Sequence, residues 1–207
     1  MFTKKYWNER AKRSGNSLRT VMKRSLPDII NRYYDKKQKK VISSIVGSNN
    51  LLLEIGCGYG RLLQSLENPN DCIGVDFSKE MLIKAKNNLK SQLVLASGNK
   101  LPFKKNSFDS VLCVTVLIHI MTFDEIKQVL NEMDFVLRDG GILVIGEMGY
   151  FSYLVQKLLL KLGIAKHAIA LNPFILSDTI EGMGYSIINP IKCGVYPNDV
   201  YFIAAKK

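Results

Sequence analysis

Five short apolar runs recur along the chain, each ending in or followed by glycine or a polar residue: LLLEIG at 51–56, CIGVD at 72–76, QLVLA at 92–96, DSVLCV at 109–114 and GILVIGE at 141–147. Runs of this length without polar alternation suit strands covered on both faces. Between them the period lengthens to that of a helix. Leu82, Ala85 and Leu89 recur at helical spacing within 78–90. Over 123–137, Ile126, Val129, Leu130, Met133, Val136 and Leu137 form one stripe, and Asp124, Glu125, Lys127, Glu132 and Asp134 fall opposite it. Residues 61–67 read as a further helix, and 36–46 place Val41, Ile42, Ile45 and Val46 on one face ahead of a stop at Gly47. Ser78 and Thr122 are positioned as helix caps. Strands alternating with helices predict crossover units and a parallel sheet.

The C-terminal third changes character. Helical patterns at 151–162 and 173–183 are followed by two apolar-rich segments, YSIINPIKCGV and VYFIAAKK, separated by Tyr196-Pro197-Asn198-Asp199. Two strands joined by a short turn are antiparallel, so the fold class expected is α/β with an antiparallel ending.

With 207 residues, 47% of them apolar and 23% charged, the chain has the balance of one globular domain with an appendage. Charge alters that picture. The net +11 invites an anionic partner such as nucleic acid, an acidic lipid surface or a phosphorylated small molecule. Residues 1–50 hold 13 basic and 3 acidic side chains, leaving 16 and 15 for the rest, so the excess is +10 in the first segment and +1 elsewhere. The expected organisation is therefore a basic helical cap over 1–48 and a nearly neutral domain over 49–207. Cys57, Cys72, Cys113 and Cys193 are widely spaced and accompanied only by His119 and His167, so buried free thiols are expected, with neither a disulfide framework nor a metal site. No apolar signal region opens the chain, and the apolar stretch over 142–164 is interrupted by charges, so a cytoplasmic protein with no integral membrane segment is expected.

The chemistry centres on Leu51-Leu-Leu-Glu-Ile-Gly-Cys-Gly-Tyr-Gly-Arg61, a strand running into three alternating glycines. Glycines there permit tight turns and let a ligand approach the backbone, and a helix beginning after them would offer N–H groups to an anion. The spacing is one residue short of a dinucleotide fingerprint. Asp76 then puts a carboxylate at the end of the next strand, where it can accept from both hydroxyls of a ribose.

Glu54-Ile-Gly-Cys-Gly-Tyr-Gly60, Val75-Asp-Phe-Ser-Lys-Glu-Met81, Leu101-Pro-Phe103 with Ser107-Phe-Asp109, Val116-Leu-Ile-His119 and Val136-Leu-Arg-Asp-Gly-Gly-Ile-Leu143, in that order, resemble the small class I S-adenosylmethionine-dependent methyltransferases. The resemblance implies a Rossmann-like three-layer sandwich, with helices on both faces of a seven-stranded, mostly parallel sheet that has a C-terminal antiparallel strand. It implies S-adenosylmethionine as cofactor, S-adenosylhomocysteine as product, and in-line transfer of a methyl group to O, N or C of a small-molecule acceptor; the basic first segment points to an anionic acceptor and the apolar stretch after residue 150 to an apolar one. Glu54 would position the cofactor's amino group, Gly56, Cys57, Gly58 and Gly60 would pass its methionine end, and Asp76 would bind ribose. Phe77 and Met81 would wall the adenine, and Cys113 and Val114 would border the methionine end. Where the family carries an acid for the adenine amino group this chain has Ser97, with Gly98 beside it and Asn99 in reach.

His119 is the catalytic candidate as a base, against an architectural reading of a lone histidine in apolar surroundings. Tyr6, Trp7, Arg10 and Arg19 are candidates for an N-terminal cap facing substrate. Residues 150–172, with Phe151, form a candidate substrate lid. An RNA methyltransferase ranks second because of the basic segment, a non-catalytic cofactor-binding protein third, and a nicotinamide oxidoreductase last. The sequence leaves the oligomeric state open.

Overall fold

A computed structural model describes residues 3–13, 18–22, 27–47, 50–66, 71–120, 122–163, 171–193 and 200–207. Its strands are β1 (Leu52–Ile55), β2 (Cys72–Asp76), β3 (Gln92–Leu95), β4 (Phe108–Val114), β5 (Leu137–Met148), β6 (Ser186–Cys193) and β7 (Val200–Lys206). The helices are α1 (Lys4–Arg13), α2 (Asp28–Val46), α3 (Lys79–Lys86), α4 (Phe123–Val136), α5 (Tyr150–Lys161) and α6 (Pro173–Gly182). The strands form one sheet in the order β3-β2-β1-β4-β5-β7-β6. β1 to β5 pair in parallel, and β7 lies antiparallel between β5 and β6. The expected Tyr196–Asp199 turn lies outside the described residues.

Side chains alternate across β1 and β4, as a period of two requires. Leu53, Ile55, Val111 and Cys113 join Ile126, Val129, Leu130 and Met133 of α4 in one core. Leu52, Leu112 and Val114 join Ile42 and Val46 of α2, with Val144 and Phe202, in the other. The second half of the N-terminal 48 residues is thus a layer of the sandwich, because its apolar face is consumed by the sheet. None of the described residues up to 22 joins either core.

Caps hold the crossover helices in place. The Ser78 hydroxyl accepts from Met81 N, and Thr122 and Glu125 form a reciprocal capping box at the start of α4. One expected helix is absent: residues 61–66 make turns and a short 3-10 helix at Leu63–Ser65. Two features explain this. Gly60 enters with φ +82, and Asn68-Pro69 follows closely, which disfavours helical backbone just ahead of it. The glycine loop therefore has a single tight turn behind it, without the aligned peptides that would build a strong dipole.

Candidate functional site

The sheet order reverses direction between β1 and β4, and open parallel sheets bind ligands outside the carboxyl ends of strands at such a point. A cavity of about 340 Å³ lies there, within the roughly 300–1,000 Å³ usual for small-molecule sites. Its floor is the β1 loop. The N–H groups of Gly56 and Cys57 both donate to Val75 O, at 2.7 and 3.0 Å, folding the loop back over β2. Gly56 has φ +71, and a Cβ there would collide with Val116, so glycine is required for both conformation and space. Also in the lining, a Cβ at Gly98 would come within 2.9 Å of Ile55 Cγ2.

Acids stand at the ends of β1, β2 and β5. Asp76 accepts from Gly58 N and from Ser78 N, both at 2.8 Å, so it ties the glycine loop to the start of α3. Burial nevertheless lifts its pKa to about 6, against the lowering effect of these hydrogen bonds. Glu54 is buried on the cavity wall, and its Oε2 has no hydrogen-bond partner among the described residues. Its pKa rises to about 8, chiefly through burial; nearby Arg61 opposes that rise and Asp76 adds to it. Arg61 in turn donates to Asp35 at 2.6 Å and to Gln38 at 2.9 Å, so α2 fixes a guanidinium beside the cavity.

The third acid, Glu147, lies behind the β4 end. Thr115, a β-branched residue, holds φ +54, a left-handed conformation costing on the order of 1–3 kcal/mol. Its N–H donates to Gly146 O at 2.7 Å, and Glu147 Oε1 accepts from Val116 N at 3.0 Å and from Leu117 N at 2.8 Å. These bonds hold the strained turn that forms one cavity wall. Burial raises Glu147 to about 8.

His119 lines the cavity, and burial, reinforced by Arg10, lowers its pKa to about 4. It is therefore neutral at neutral pH. Trp7 meets it edge to face, with ring centroids 5.1 Å apart, and Trp7 and Thr3 close the cavity from α1 and its approach. Arg10 lies 5.1 Å from the Trp7 ring centroid and donates to the Tyr6 hydroxyl at 2.9 Å and to Met22 O at 3.0 Å. α1 is latched to the start of α3 by Asn8, whose Oδ1 accepts from Ser78 Oγ at 2.6 Å.

Of the residues expected in the site, Glu54, Gly56, Cys57, Gly58, Asp76, Phe77, Met81, Ser97, Gly98, Val114, His119 and Trp7 line the cavity. Gly60 does not: a Cβ there would strike Leu89, so it serves packing. Cys113 is fully buried in the α4-side core beneath the wall. Tyr6 and Arg10 stand behind Trp7 and outside the lining. The side chains of Arg19 and Phe151 lie outside the described residues. Asn99 lines the cavity while its amide reaches toward Gln128 at 3.5 Å. Sequence reasoning missed Arg61, Val21, Thr115 and Glu147. For Glu147 the signal was available, an acid closing an apolar strand as Glu54 and Asp76 do. For Val21 there was none.

Residues 53–145 match the family described as "Methyltransferase domain". That match runs from β1 into β5. It is 32% identical over 114 residues to protein MJ1252 of Methanocaldococcus jannaschii, covering 55% of this chain and 43% of that one. To the demethylmenaquinone methyltransferase of Lactiplantibacillus plantarum it is 34% identical over 119 residues, covering 52% and 49%. It spans about half the length of the first curated relatives it matches. The fold is that of the magnesium protoporphyrin IX methyltransferase of Synechocystis with bound S-adenosylhomocysteine. That match has a TM-score of 0.70 at 17% identity and covers 99% of this chain and 97% of that one.

Proposed function

We propose that the protein is an S-adenosylmethionine-dependent methyltransferase that methylates O, N or C of a small-molecule acceptor. The observation carrying this reading is the convergence, on one cavity, of a glycine floor and the buried, unpartnered Glu54 Oε2. A buried carboxyl oxygen with no partner is costly unless a ligand supplies one, and an ammonium would do so while favouring the ionised form of Glu54. The cofactor carries that ammonium on its methionine end. Glu54 would hold it, and the Gly56–Gly58 backbone gives the close approach. Asp76, which retains acceptor capacity beyond its backbone bonds, would take the ribose hydroxyls. Phe77 and Met81 would flank the adenine, and Ser97 with Asn99 offers its polar edge weaker partners than an acid.

When bound, the cofactor supplies an electrophilic methyl group on a cationic sulfur. The chain's own contribution is then positioning, which on the scale of effective molarities supplies much of the acceleration. Trp7, Val116, His119 and Ile120 line the cavity. Neutral His119 can accept a proton from an acceptor hydroxyl or amine, though a pKa near 4 makes it a weak base.

Calorimetric titration with S-adenosylhomocysteine tests the site, with stoichiometric binding expected and no binding refuting it. Transfer of labelled methyl from S-adenosylmethionine into fractionated metabolites tests the activity. The +10 charge of residues 1–50 favours RNA as a second reading. In that case label would appear in the RNA fraction, and salt would suppress it.

A further inference from the structure

We propose that α5 rests on an anionic lipid surface and docks the carboxyl edge of the sheet, where the cavity opens, against a membrane. From Met148 to Ser177 the chain contains no Asp or Glu, while Lys157, Lys161 and Lys166 add positive charge. Within α5, Leu154, Leu158 and the following Leu162 recur every four residues and are 43%, 55% and 60% exposed. Lys157 and Lys161 fall on the same flank, both exposed. Tyr153 is the buried side chain among those described in this helix, so the fold does not use the leucine face.

Leucines framed by lysines, in a stretch of chain without acids, match the two requirements for stable residence at an acidic membrane surface: an apolar face to insert and bases to meet the headgroups. Twelve residues at 1.5 Å each give about 18 Å, too short to cross a bilayer. Among the described residues no helix is long and apolar enough to do so. The helix therefore lies on the surface.

Its position gives the contact a use. α5 follows β5, whose Gly146 accepts from Thr115 N on the cavity wall, so it leaves the sheet at the cavity's edge. α1, which brings Trp7 into the cavity, also stands at that edge and exposes Lys4 and Lys5. An acceptor held in a lipid layer would thus meet the cavity from the membrane side.

Two other occupants fit less well. A symmetric second copy would bring four lysines together. RNA is bound on aromatic or arginine platforms, which the exposed leucines do not provide.

The test is co-sedimentation of the full chain with phosphatidylcholine vesicles, with and without phosphatidylglycerol. The chain should sediment with the anionic vesicles only and be released by high salt. K157Q/K161Q should weaken partition about thirtyfold, and L158E should abolish it, both keeping the wild-type circular dichroism. Failure to bind anionic vesicles, equal binding to neutral ones, or undiminished binding by both variants would overturn the proposal. So would a dimer that L158E dissociates, or RNA retention that K157Q/K161Q abolishes. None of these readouts depends on methyl transfer, so the membrane contact and the enzymatic reading fail separately.

Discussion

Replacing Glu54 by Gln sets stability against ligand binding, with a size that follows from burial. Glu54 is 3% exposed, and its pKa is raised from 4.5 to about 8. A group with a raised acid pKa binds its proton more tightly in the folded protein, so its contribution is fully present below pH 4.5. It is lost as pH rises toward 8, because the unfolded chain ionises and the folded one does not. At pH 7 the interval of 2.5 units between 4.5 and 7 corresponds to about 3 kcal/mol, at 1.36 kcal/mol per unit. Gln has the same shape and no such proton, so E54Q should be more stable than the wild type at pH 7 by about that amount. For a domain of this size the difference is roughly 10 °C in melting temperature. Thermal melts of the cofactor-free protein at pH 4.5, 6, 7 and 8 measure it. The gap between the two proteins should open steadily with pH, and E54Q should lose most of its affinity for S-adenosylhomocysteine. A pH-independent gap would refute the burial argument, and unchanged affinity would remove Glu54 from the cofactor site.

Three further outcomes are expected. D76N removes the charge that ties Gly58 N to Ser78 N and should weaken S-adenosylhomocysteine by roughly tenfold to a hundredfold in calorimetry. In the wild type, affinity should also fall as pH drops through about 6, where Asp76 takes up a proton. H119N should slow labelled-methyl transfer about a hundredfold at unchanged cofactor affinity if His119 accepts the acceptor's proton; equal rates would leave it the role of packing against Trp7. R10Q should shift the emission of Trp7, the sole tryptophan, to longer wavelength as the cap loosens from Met22, and raise the acceptor's KM more than the cofactor's.

The strand runs and stripes were legible because they are local. The apolar run Leu51–Ile55 has one reading as a doubly covered strand, and the α4 stripe one reading as a helix laid on a sheet. The positive φ of Gly56 and Gly58 follows from the same logic, since alternating glycines after a strand mark a loop that other residues adopt at a cost. The 61–67 helix was misread because its pattern is equally local, whereas its fate depended on Gly60 and on Pro69. The clamp of Asp35 and Gln38 on Arg61 spans 26 and 23 residues, and the Asn8 latch on Ser78 spans 70. No periodicity records such pairings.

The sequence by itself determined the layers, the edge of the sheet where ligand chemistry gathers, and the identities of Glu54 and Asp76, because strand period and glycine sterics act between neighbours in the chain. Only the tertiary structure decided that the basic N-terminal segment divides. Its α2 half packs against the sheet, and its α1 half closes the cavity with Trp7. The tertiary structure also decided that Glu54 Oε2 is buried with no hydrogen-bond partner among the described residues, that Glu147 steadies the strained Thr115 turn, and that Leu154, Leu158 and Leu162 stay exposed. Burial and long-range pairing depend on where distant segments meet. They set desolvation, and desolvation raises the pKa of Glu54 and Asp76 in the cavity wall.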